Sequence, residues 1–216
     1  MKKAIVTGAT GNLGKAVVLE LLQQGYEVAG SGLLPEPLKG YTGIRVDLAD
    51  DAATHDWVNE QLANGRVDAA VLTVGGFAMG DISATRISNI HDQIRLNFDT
   101  AYRVAAPLFT HMKQMGSGTI FLVGSQAGML AEKNLGVTAY GLAKSLLFRL
   151  ADLMNLEAAD TDVKVFVVVP FIIDTPVNRS AMPDADYTTW QTPELIASRI
   201  ISYMEHPVGK DTNMIF

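Results

Sequence analysis

The 216-residue sequence has no cysteine, no cluster of basic residues and no hydrophobic run long enough to cross a membrane. Without cysteine the chain can form no disulfide, no thiolate metal site and no cysteine nucleophile. The longest apolar run covers residues 165–169 and, beyond Pro170, residues 171–173, whereas a membrane-spanning helix needs about 20 residues. Residues 1–3 run directly into an apolar segment and give no sign of a signal peptide. We therefore expect a cytoplasmic protein with no membrane partner.

Acidic residues outnumber basic ones, 23 against 17, which leaves a formal net charge of -6. This balance argues against non-specific binding of nucleic acid, and we expect no nucleic-acid partner. The four histidines show no spacing typical of metal ligands, so the sequence predicts no metal site. They are His55, His91, His111 and His206, and we expect them on the surface or at helix ends.

Apolar segments of strand length alternate with helical segments along the chain, which is typical of a parallel sheet covered on both faces. A hydrophobic content of 48% is enough to build one full core, and no segment resembles a linker or a repeat. We predict a single α/β domain over residues 1–216 with a doubly wound parallel sheet. The predicted strands lie near residues 3–7, 26–30, 43–46, 67–74, 117–123, 163–169 and 212–216. The predicted helices lie near residues 12–24, 52–63, 86–95, 97–114, 138–158 and 193–204, and residues 30–43 form a loop.

The first apolar segment runs straight into a glycine-rich stretch, and a helical pattern follows at once. Glycine lets the backbone approach a pyrophosphate closely, while the free amides and positive dipole end of the new helix attract the anion. Strand, glycine turn, helix and second strand form a mononucleotide-binding half. The stretch therefore predicts cofactor binding by Gly8, Gly11, Asn12, Leu13 and Gly14, with a merely tight turn as the alternative.

The residues about twenty positions past the glycines bear on the choice between NAD and NADP. A carboxylate there bonds the ribose 2'-OH of NAD, and a basic residue admits the 2'-phosphate of NADP. Here the place is held by Gly30, Ser31 and Gly32. Because no carboxylate would repel a phosphate and Ser31 can donate to one, NADP is slightly favoured over NAD. Lys39 is either a further phosphate partner or a solvated loop lysine.

Tyr140 and Lys144 are four residues apart in a helical segment, so they share one face of the helix. A tyrosine titrates near ~10, and a neighbouring cation favours its anion, so we expect Lys144 to lower the pKa of Tyr140. The pair is then a tuned proton donor, and the alternative is a solvated helix face. Ser125 follows the fifth predicted strand; it is either a catalytic residue or a loop serine that bonds its own backbone.

In combination, these segments resemble the short-chain dehydrogenase/reductase family over essentially the whole chain. The matching residues occur in the family's order: Thr7 with the three glycines, Asp47 and Leu48, Asn97, Ser125, Tyr140 with Lys144, and Pro170 to Thr175. Within the family the chain is most similar to dihydropteridine reductases, through Gly75-Gly76 before Phe77 and through the unusual segment from Asp174 to Trp190. Those reductases lack the catalytic serine, so Ser125 suits an ordinary ketone substrate as well as a quinonoid pterin.

The resemblance implies a Rossmann-like fold and a role for each matching residue. Tyr140 is implied to be the general acid, Lys144 to hold the nicotinamide ribose, Ser125 to orient the acceptor atom of the substrate, and Asn97 to support Lys144 through a water. Further cofactor contacts are implied at Asp47, Leu48, Val74, Gly75, Gly76, Pro170, Ile173 and Thr175. Substrate contacts are expected at Phe77, Ser125, Met182 and Trp190, although packing is the alternative for Phe77, Met182 and Trp190.

The resemblance therefore implies an NAD(P)H-dependent oxidoreductase that transfers hydride to a small carbonyl or imine-type substrate, with a quinonoid dihydropterin as the leading candidate. One alternative is a general carbonyl or 3-oxoacyl reductase of the same family. The other is a dinucleotide-sensing binding protein that performs no chemistry.

The helices predicted over residues 97–114 and 138–158 carry apolar residues on more than one side. Val104, Leu108 and Met112 repeat at fours, and so do Leu142, Leu146, Leu150 and Met154. A helix that covers a sheet needs one such stripe, so a second stripe suggests a partner helix. In the family that the chain resembles, these helices pair across a two-fold axis, which implies a homodimer or homotetramer. A single broad stripe facing the core is the alternative.

Overall fold

The computed structural model describes residues 1–205 and 212–216, and its strands form one seven-stranded parallel sheet. The strands are β1 (Lys3–Thr7), β2 (Glu27–Ser31), β3 (Tyr41–Ile44), β4 (Ala69–Leu72), β5 (Ser117–Val123), β6 (Asp162–Val169) and β7 (Asn213–Ile215). They are arranged in the order β3-β2-β1-β4-β5-β6-β7. This confirms the predicted α/β class. His206, one of the four histidines expected on the surface or at helix ends, lies outside the described residues.

Within the described residues the helices are α1 (Asn12–Gln23), α2 (Asp51–Ala63), α3 (Ile87–Ile94), α4 (Thr100–Met115), α5 (Gln126–Met129), α6 (Thr138–Glu157), α7 (Pro176–Ala181) and α8 (Pro193–Glu205). α1 and α8 cover one face of the sheet, and α2, α4 and α6 cover the other. None of the helices in this part of the chain is both long and apolar enough to cross a bilayer.

Successive side chains of a strand point to opposite faces of the sheet, so the one sheet contributes to a hydrophobic core on each face. In β1, Ile5 packs against the side of α2, α4 and α6, while the next residue, Val6, packs against the side of α1 and α8. Both side chains are fully buried. The sheet is therefore doubly wound, as predicted, and its functional edge is the one at which the strands end.

The helices predicted over residues 86–95 and 97–114 are parts of one longer helical run. A π-helical turn, Arg95–Asp99, joins α3 to α4. Asn97 lies in this turn and is fully buried. A π turn shifts the phase of a helix without ending it, so hydrophobic periodicity alone does not reveal it.

Other differences from the predicted elements are small. β3 begins at Tyr41, two residues early, and β4 is shorter at both ends than the predicted residues 67–74. Residues 32–40 contain no helix, as their prolines and glycines indicated. The sequence does not predict α5 and α7, because helices of four and six residues are too short to show a helical period.

The apolar repeats on the two long helices mostly face the sheet. Val104, Leu108 and Met112 are fully buried in the core, so they form the core-facing stripe of α4. On α6, Leu150 and Met154 are also buried in the core, whereas Leu142 is 43% exposed. The outward apolar side chains of α6 are instead Leu142, Leu153 and Leu156. Leu150 and Met154 therefore belong to the core-facing side of α6.

Candidate active site

A cleft of about 640 Å³ opens where the strands end, beside the loop that follows β1. β1 and β4 are neighbours in the sheet, and the chain winds away from them in opposite directions, which is where open α/β sheets bind ligands. The cleft is lined by several residues for which we predicted cofactor contacts, namely Gly8, Ser31, Asp47, Leu48 and Val74. Its volume lies in the range of small-molecule sites.

The glycine turn packs tightly against the start of α1. Gly8 has φ 66°, and a Cβ added at Gly14 would lie 2.1 Å from the Gly8 carbonyl oxygen. Gly11 is the N-cap residue of α1 and no side chain caps the helix, so the first amides of α1, at Asn12 to Gly14, keep free donors. The start of α1 is therefore suited to an anion such as a pyrophosphate, because helix amides without partners attract negative charge.

Ser31 has a structural role in the glycine turn. Its hydroxyl oxygen accepts a hydrogen bond from the Gly8 amide at 2.9 Å, and the residue is 7% exposed. Ser31 therefore holds the glycine turn in place, and because a hydroxyl that accepts a hydrogen bond keeps its own proton to donate, its donation to a 2'-phosphate stays a prediction. Lys39 is not among the residues that line the cleft, whereas Arg45 is.

The importance of Arg45 was missed by sequence reasoning. β2 pairs with β3, and the Gly32 amide donates to the Ile44 carbonyl oxygen at 2.7 Å, which places the next residue, Arg45, beside the end of β2. The usual rule looks only at residues that directly follow β2. The signal that could have found Arg45 is a basic residue at the end of the third predicted strand.

Asn97 organises the loop after β4. Its Oδ1 accepts from the Gly76 amide at 3.1 Å, and its Nδ2 donates to the Gly76 carbonyl at 3.0 Å and to Gln93 Oε1 at 3.0 Å. A Cβ added at Gly75 would lie 2.6 Å from Asn97 Oδ1 and 3.2 Å from Lys144 Nζ. Asn97 therefore locks a glycine loop against the lysine, while its support of Lys144 through a water stays a prediction.

Lys144 is buried, so the solvated-face reading of the pair is wrong. The side chain is 5% exposed, and Nζ donates to the Val123 carbonyl oxygen at 2.7 Å. The same nitrogen lies 5.8 Å from the centre of the Tyr140 ring. Burial lowers the pKa of Lys144 to about 8, because the ammonium form loses its hydration.

The pKa of Tyr140 moves in the direction opposite to our expectation. Burial of the phenol raises its pKa, and a hydrogen bond with the side chain of Ser125 offsets part of this effect. Lys144 is not among the causes of this pKa shift, so the expected lowering by the neighbouring cation is not found. Tyr140 therefore holds its proton as a neutral phenol, the form that donates.

The structure confirms that Ser125 bonds the backbone of its own loop, and its catalytic role stays a prediction. Ser125 is the N-cap residue of α5, where its Oγ accepts from the Ala127 amide at 3.3 Å. It also forms the hydrogen bond with Tyr140. Because α5 begins directly after β5, the cap fixes the hydroxyl beside the phenol.

Of the aromatic residues expected around a substrate, Phe77 lies beside the proton donor. Its ring meets the Tyr140 ring edge-on, with 5.1 Å between the centroids, and it is 64% exposed. Trp190 is only 8% exposed and packs against Tyr187 at 4.7 Å between ring centroids, so its expected substrate contact is corrected to packing. Met182 is half-buried at the end of α7.

The segment after β6 is held together by its own contacts. Arg179 donates two hydrogen bonds to Asp174, at 2.6 and 2.7 Å, and Thr175 caps α7 by accepting from the Asn178 amide. Asn178 in turn donates to the Ile173 carbonyl oxygen at 2.8 Å. Pro170, Ile173 and Thr175 are not among the residues that line the cleft, so their cofactor contacts stay predictions.

The chain belongs to the short chain dehydrogenase family, whose sequence model matches residues 2–186. The protein is therefore an oxidoreductase of this family.

Two curated relatives and one solved structure illustrate the similarity. The chain is 28% identical to a cyclohexanol dehydrogenase of Rhodococcus sp. (strain TK6), over 85% of this chain and 80% of that protein. It is 25% identical to the 3-oxoacyl-(acyl-carrier-protein) reductase FabG of Salmonella typhimurium, over 85% of this chain and 78% of the relative. The solved structure of ElxO with NADP bound has a TM-score of 0.86 at 20% identity, over 99% of this chain and 97% of that one, which supports the fold.

Proposed function

We propose that the protein is an NADPH-dependent reductase of a small carbonyl compound, with Tyr140 as the proton donor. The observation that carries this proposal is a connected set of contacts from Val123 through Lys144 and Tyr140 to Ser125. This set of contacts reaches the cleft at Gly75, where an added Cβ would lie 3.2 Å from Lys144 Nζ. The preceding residue, Val74, lines the cleft.

The glycine turn after β1 supports binding of a dinucleotide by this chain. The first amides of α1 would take the pyrophosphate, and Gly8 and Gly14 let the turn pack closely against the start of this helix. The remaining proposed cofactor contacts are Gly11, Asn12, Leu13, Ser31 (through the turn that it holds), Asp47, Leu48, Val74, Gly75, Gly76, Tyr140, Lys144, Pro170, Ile173 and Thr175. We assign all of residues 1–216 to one NAD(P)-binding domain.

A bound reduced nicotinamide supplies hydride to the carbonyl carbon of the substrate. As the carbonyl oxygen gains negative charge, Tyr140 would transfer its phenolic proton to that oxygen, so that an alcohol forms. Ser125 restrains the phenol by a hydrogen bond, and Lys144 is held beside the ring by the Val123 carbonyl. A positioned proton donor of this kind contributes ~10² to 10⁴-fold in rate.

Ketones are the first substrate candidates. The two curated relatives described above are named for a cyclic alcohol and for a 3-oxoacyl group, and this chain has the serine that ordinary ketone reduction uses. A quinonoid dihydropterin is the second candidate, although neither of those relatives is a dihydropteridine reductase. One observation favours it: the exposed Phe77 ring beside Tyr140 could stack on a planar substrate.

The test is reduction of cyclohexanone, a 3-oxoacyl thioester and quinonoid dihydropterin with NADPH and NADH, followed by nicotinamide absorbance. We expect turnover of a ketone above the rate of the Tyr140→Phe variant. Preferential turnover of the pterin would favour the second candidate. Nucleotide binding without turnover of any substrate would favour the non-catalytic dinucleotide sensor and contradict the proposal.

We also propose a homodimer or homotetramer that resides in the cytoplasm, acts on a small molecule and has neither a nucleic-acid nor a membrane partner. The outward apolar side chains of α6 support the oligomer, because Leu153 is 51% and Leu156 is 75% exposed.

A further inference from the structure

Arg45 is a charged residue of the cleft whose side chain does not help to hold the described structure together. It follows β3 directly, is exposed and lines the cleft together with Gly8, Ser31 and Gly32. Within residues 1–205 and 212–216, its guanidinium makes no hydrogen bond, ion pair or ring contact.

The other charged residues that line the cleft have partners. Arg95 lies 4.0 Å from Asp92, one helical turn away in sequence. Asp47 accepts a hydrogen bond from the Ala49 amide at 2.9 Å. Arg45 is therefore a cation at the end of β3 whose guanidinium is free to donate hydrogen bonds to a ligand anion.

At the place that usually determines the choice of nucleotide, Ser31 holds the glycine turn and Gly32 has no room for a side chain. Gly32 has φ 130°, and an added Cβ would lie 2.8 Å from Thr10 Cγ2. The Tyr41 hydroxyl donates to the Gly32 carbonyl oxygen at 2.5 Å and fixes this backbone further. None of Gly30, Ser31 and Gly32 carries a charge, and the pairing of β2 with β3 brings the charged side chain of Arg45 beside them.

We propose that Arg45 binds the 2'-phosphate of NADPH and makes the protein prefer NADPH to NADH. This inference rests on the proposed function, because it requires that the cleft bind a dinucleotide. The planar guanidinium suits a phosphate, to which it can donate two hydrogen bonds at once. The discriminating residue thus directly follows β3, 14 positions beyond Ser31 and six beyond Lys39.

Calorimetric titration of NADPH and NADH into the protein tests this inference without relying on turnover. Arg45→Met removes the charge but keeps much of the side chain, and Arg45→Lys restores a charge without the planar fork. Lys39→Met is the matched control, since Lys39 is exposed but does not line the cleft. Thermal unfolding of each variant verifies that it is folded.

We expect Arg45→Met to weaken NADPH binding about 10 to 100-fold, the range for loss of charge-assisted hydrogen bonds, and to leave NADH binding within about twofold. The NADPH affinity of Arg45→Lys should lie between those of the wild type and Arg45→Met, and the NADPH affinity of Lys39→Met should match that of the wild type. The affinity for adenosine 2',5'-bisphosphate should fall in Arg45→Met as the affinity for NADPH does. The affinity for 5'-AMP should stay as unchanged as the affinity for NADH.

Two results would overturn the inference while leaving the proposed reductase intact. One is a wild-type protein that binds NADH as tightly as NADPH, and the other is NADPH affinity that does not change in Arg45→Met. A wild-type protein that binds neither nucleotide would overturn the proposed function and this inference with it.

Discussion

The ammonium of Lys144 donates a hydrogen bond to the carbonyl oxygen of Val123, 2.7 Å away, in a place where the lysine is 5% exposed. This bond ties α6 to the last residue of β5, directly before the loop that carries Ser125. The lysine is therefore fixed relative to the sheet, and Tyr140, one helical turn earlier, is fixed with it. Four predictions follow from this site and its surroundings.

Replacing Tyr140 by phenylalanine should remove the proton donor and keep the ring. The contact with Phe77 at 5.1 Å between centroids involves the ring alone, so packing should be preserved. We expect kcat to fall at least ~10²-fold, with NADPH affinity nearly unchanged, because the phenol acts mainly in the transition state. Steady-state kinetics and calorimetry measure the two quantities. Tyr102→Phe, at a half-exposed tyrosine of α4, is the matched control, and turnover of Tyr140→Phe close to that of the control would contradict the role.

The burial of Lys144 predicts a pH dependence of stability. The pKa of Lys144 is about 8 in the folded protein and near 10.5 when solvated, so between these values the unfolded chain binds more protons than the native one. By linkage, the free energy of unfolding contributed by this residue rises with pH across that interval. Below pH 8 Lys144 is protonated in both the folded and the unfolded protein. Burial of the ammonium then lowers the free energy of unfolding by its full amount.

Denaturant unfolding of the wild type and of Lys144→Met at several pH values between 7 and 10 measures this effect. The difference between the two proteins isolates Lys144 from the other titrating groups. We expect the wild type to gain stability relative to the variant as the pH rises above about 8. A difference that stays flat, or that changes in the opposite direction, would refute the assigned shift.

Adding a methyl group at Gly14 should disrupt the turn after β1. The new Cβ would lie 2.1 Å from the Gly8 carbonyl oxygen, and both groups are held by backbone. Overpacking of this kind costs roughly 1 to 3 kcal/mol in free energy of unfolding, and NADPH affinity should fall as the turn distorts. Gly11→Ala is the matched control, since its Cβ would lie 3.3 Å from the same oxygen and the change should cost about 1 kcal/mol or less. Equal losses in the two variants would argue against steric exclusion at Gly14.

Glutamate at Leu153 should weaken the proposed oligomer without unfolding the chain. Leu153 is 51% exposed on α6, whereas Leu108 on α4 is fully buried in the core. Light scattering at micromolar concentration should give at least a dimer mass for the wild type and a smaller mass for Leu153→Glu. Leu108→Glu should instead unfold the protein, because it buries a charge. A wild-type monomer, or a Leu153→Glu variant that keeps the wild-type mass, would contradict this interface.

Much of the fold could be read from the sequence because its signals are local. Each signal depends on residues that are close together in sequence. This holds for the strand and helix periods, for the glycine turn and for the prolines between β2 and β3. For the same reason Tyr140 and Lys144 could be placed on one helical face. The sequence could not reveal the π turn at Arg95–Asp99, since one extra residue changes the phase of a helix and leaves its composition unaltered.

What the sequence by itself determined is the order of the elements, the parallel sheet and the residues from which an active site could be assembled. Only the tertiary structure decided which apolar stripe of α6 faces the core, that Trp190 is packed, and that the pKa of Tyr140 is raised. It also decided that Arg45 lies beside Gly32. The physical reason is the same in each case: burial and neighbouring charge depend on segments that are distant in sequence and meet only when the sheet and its helices pack together.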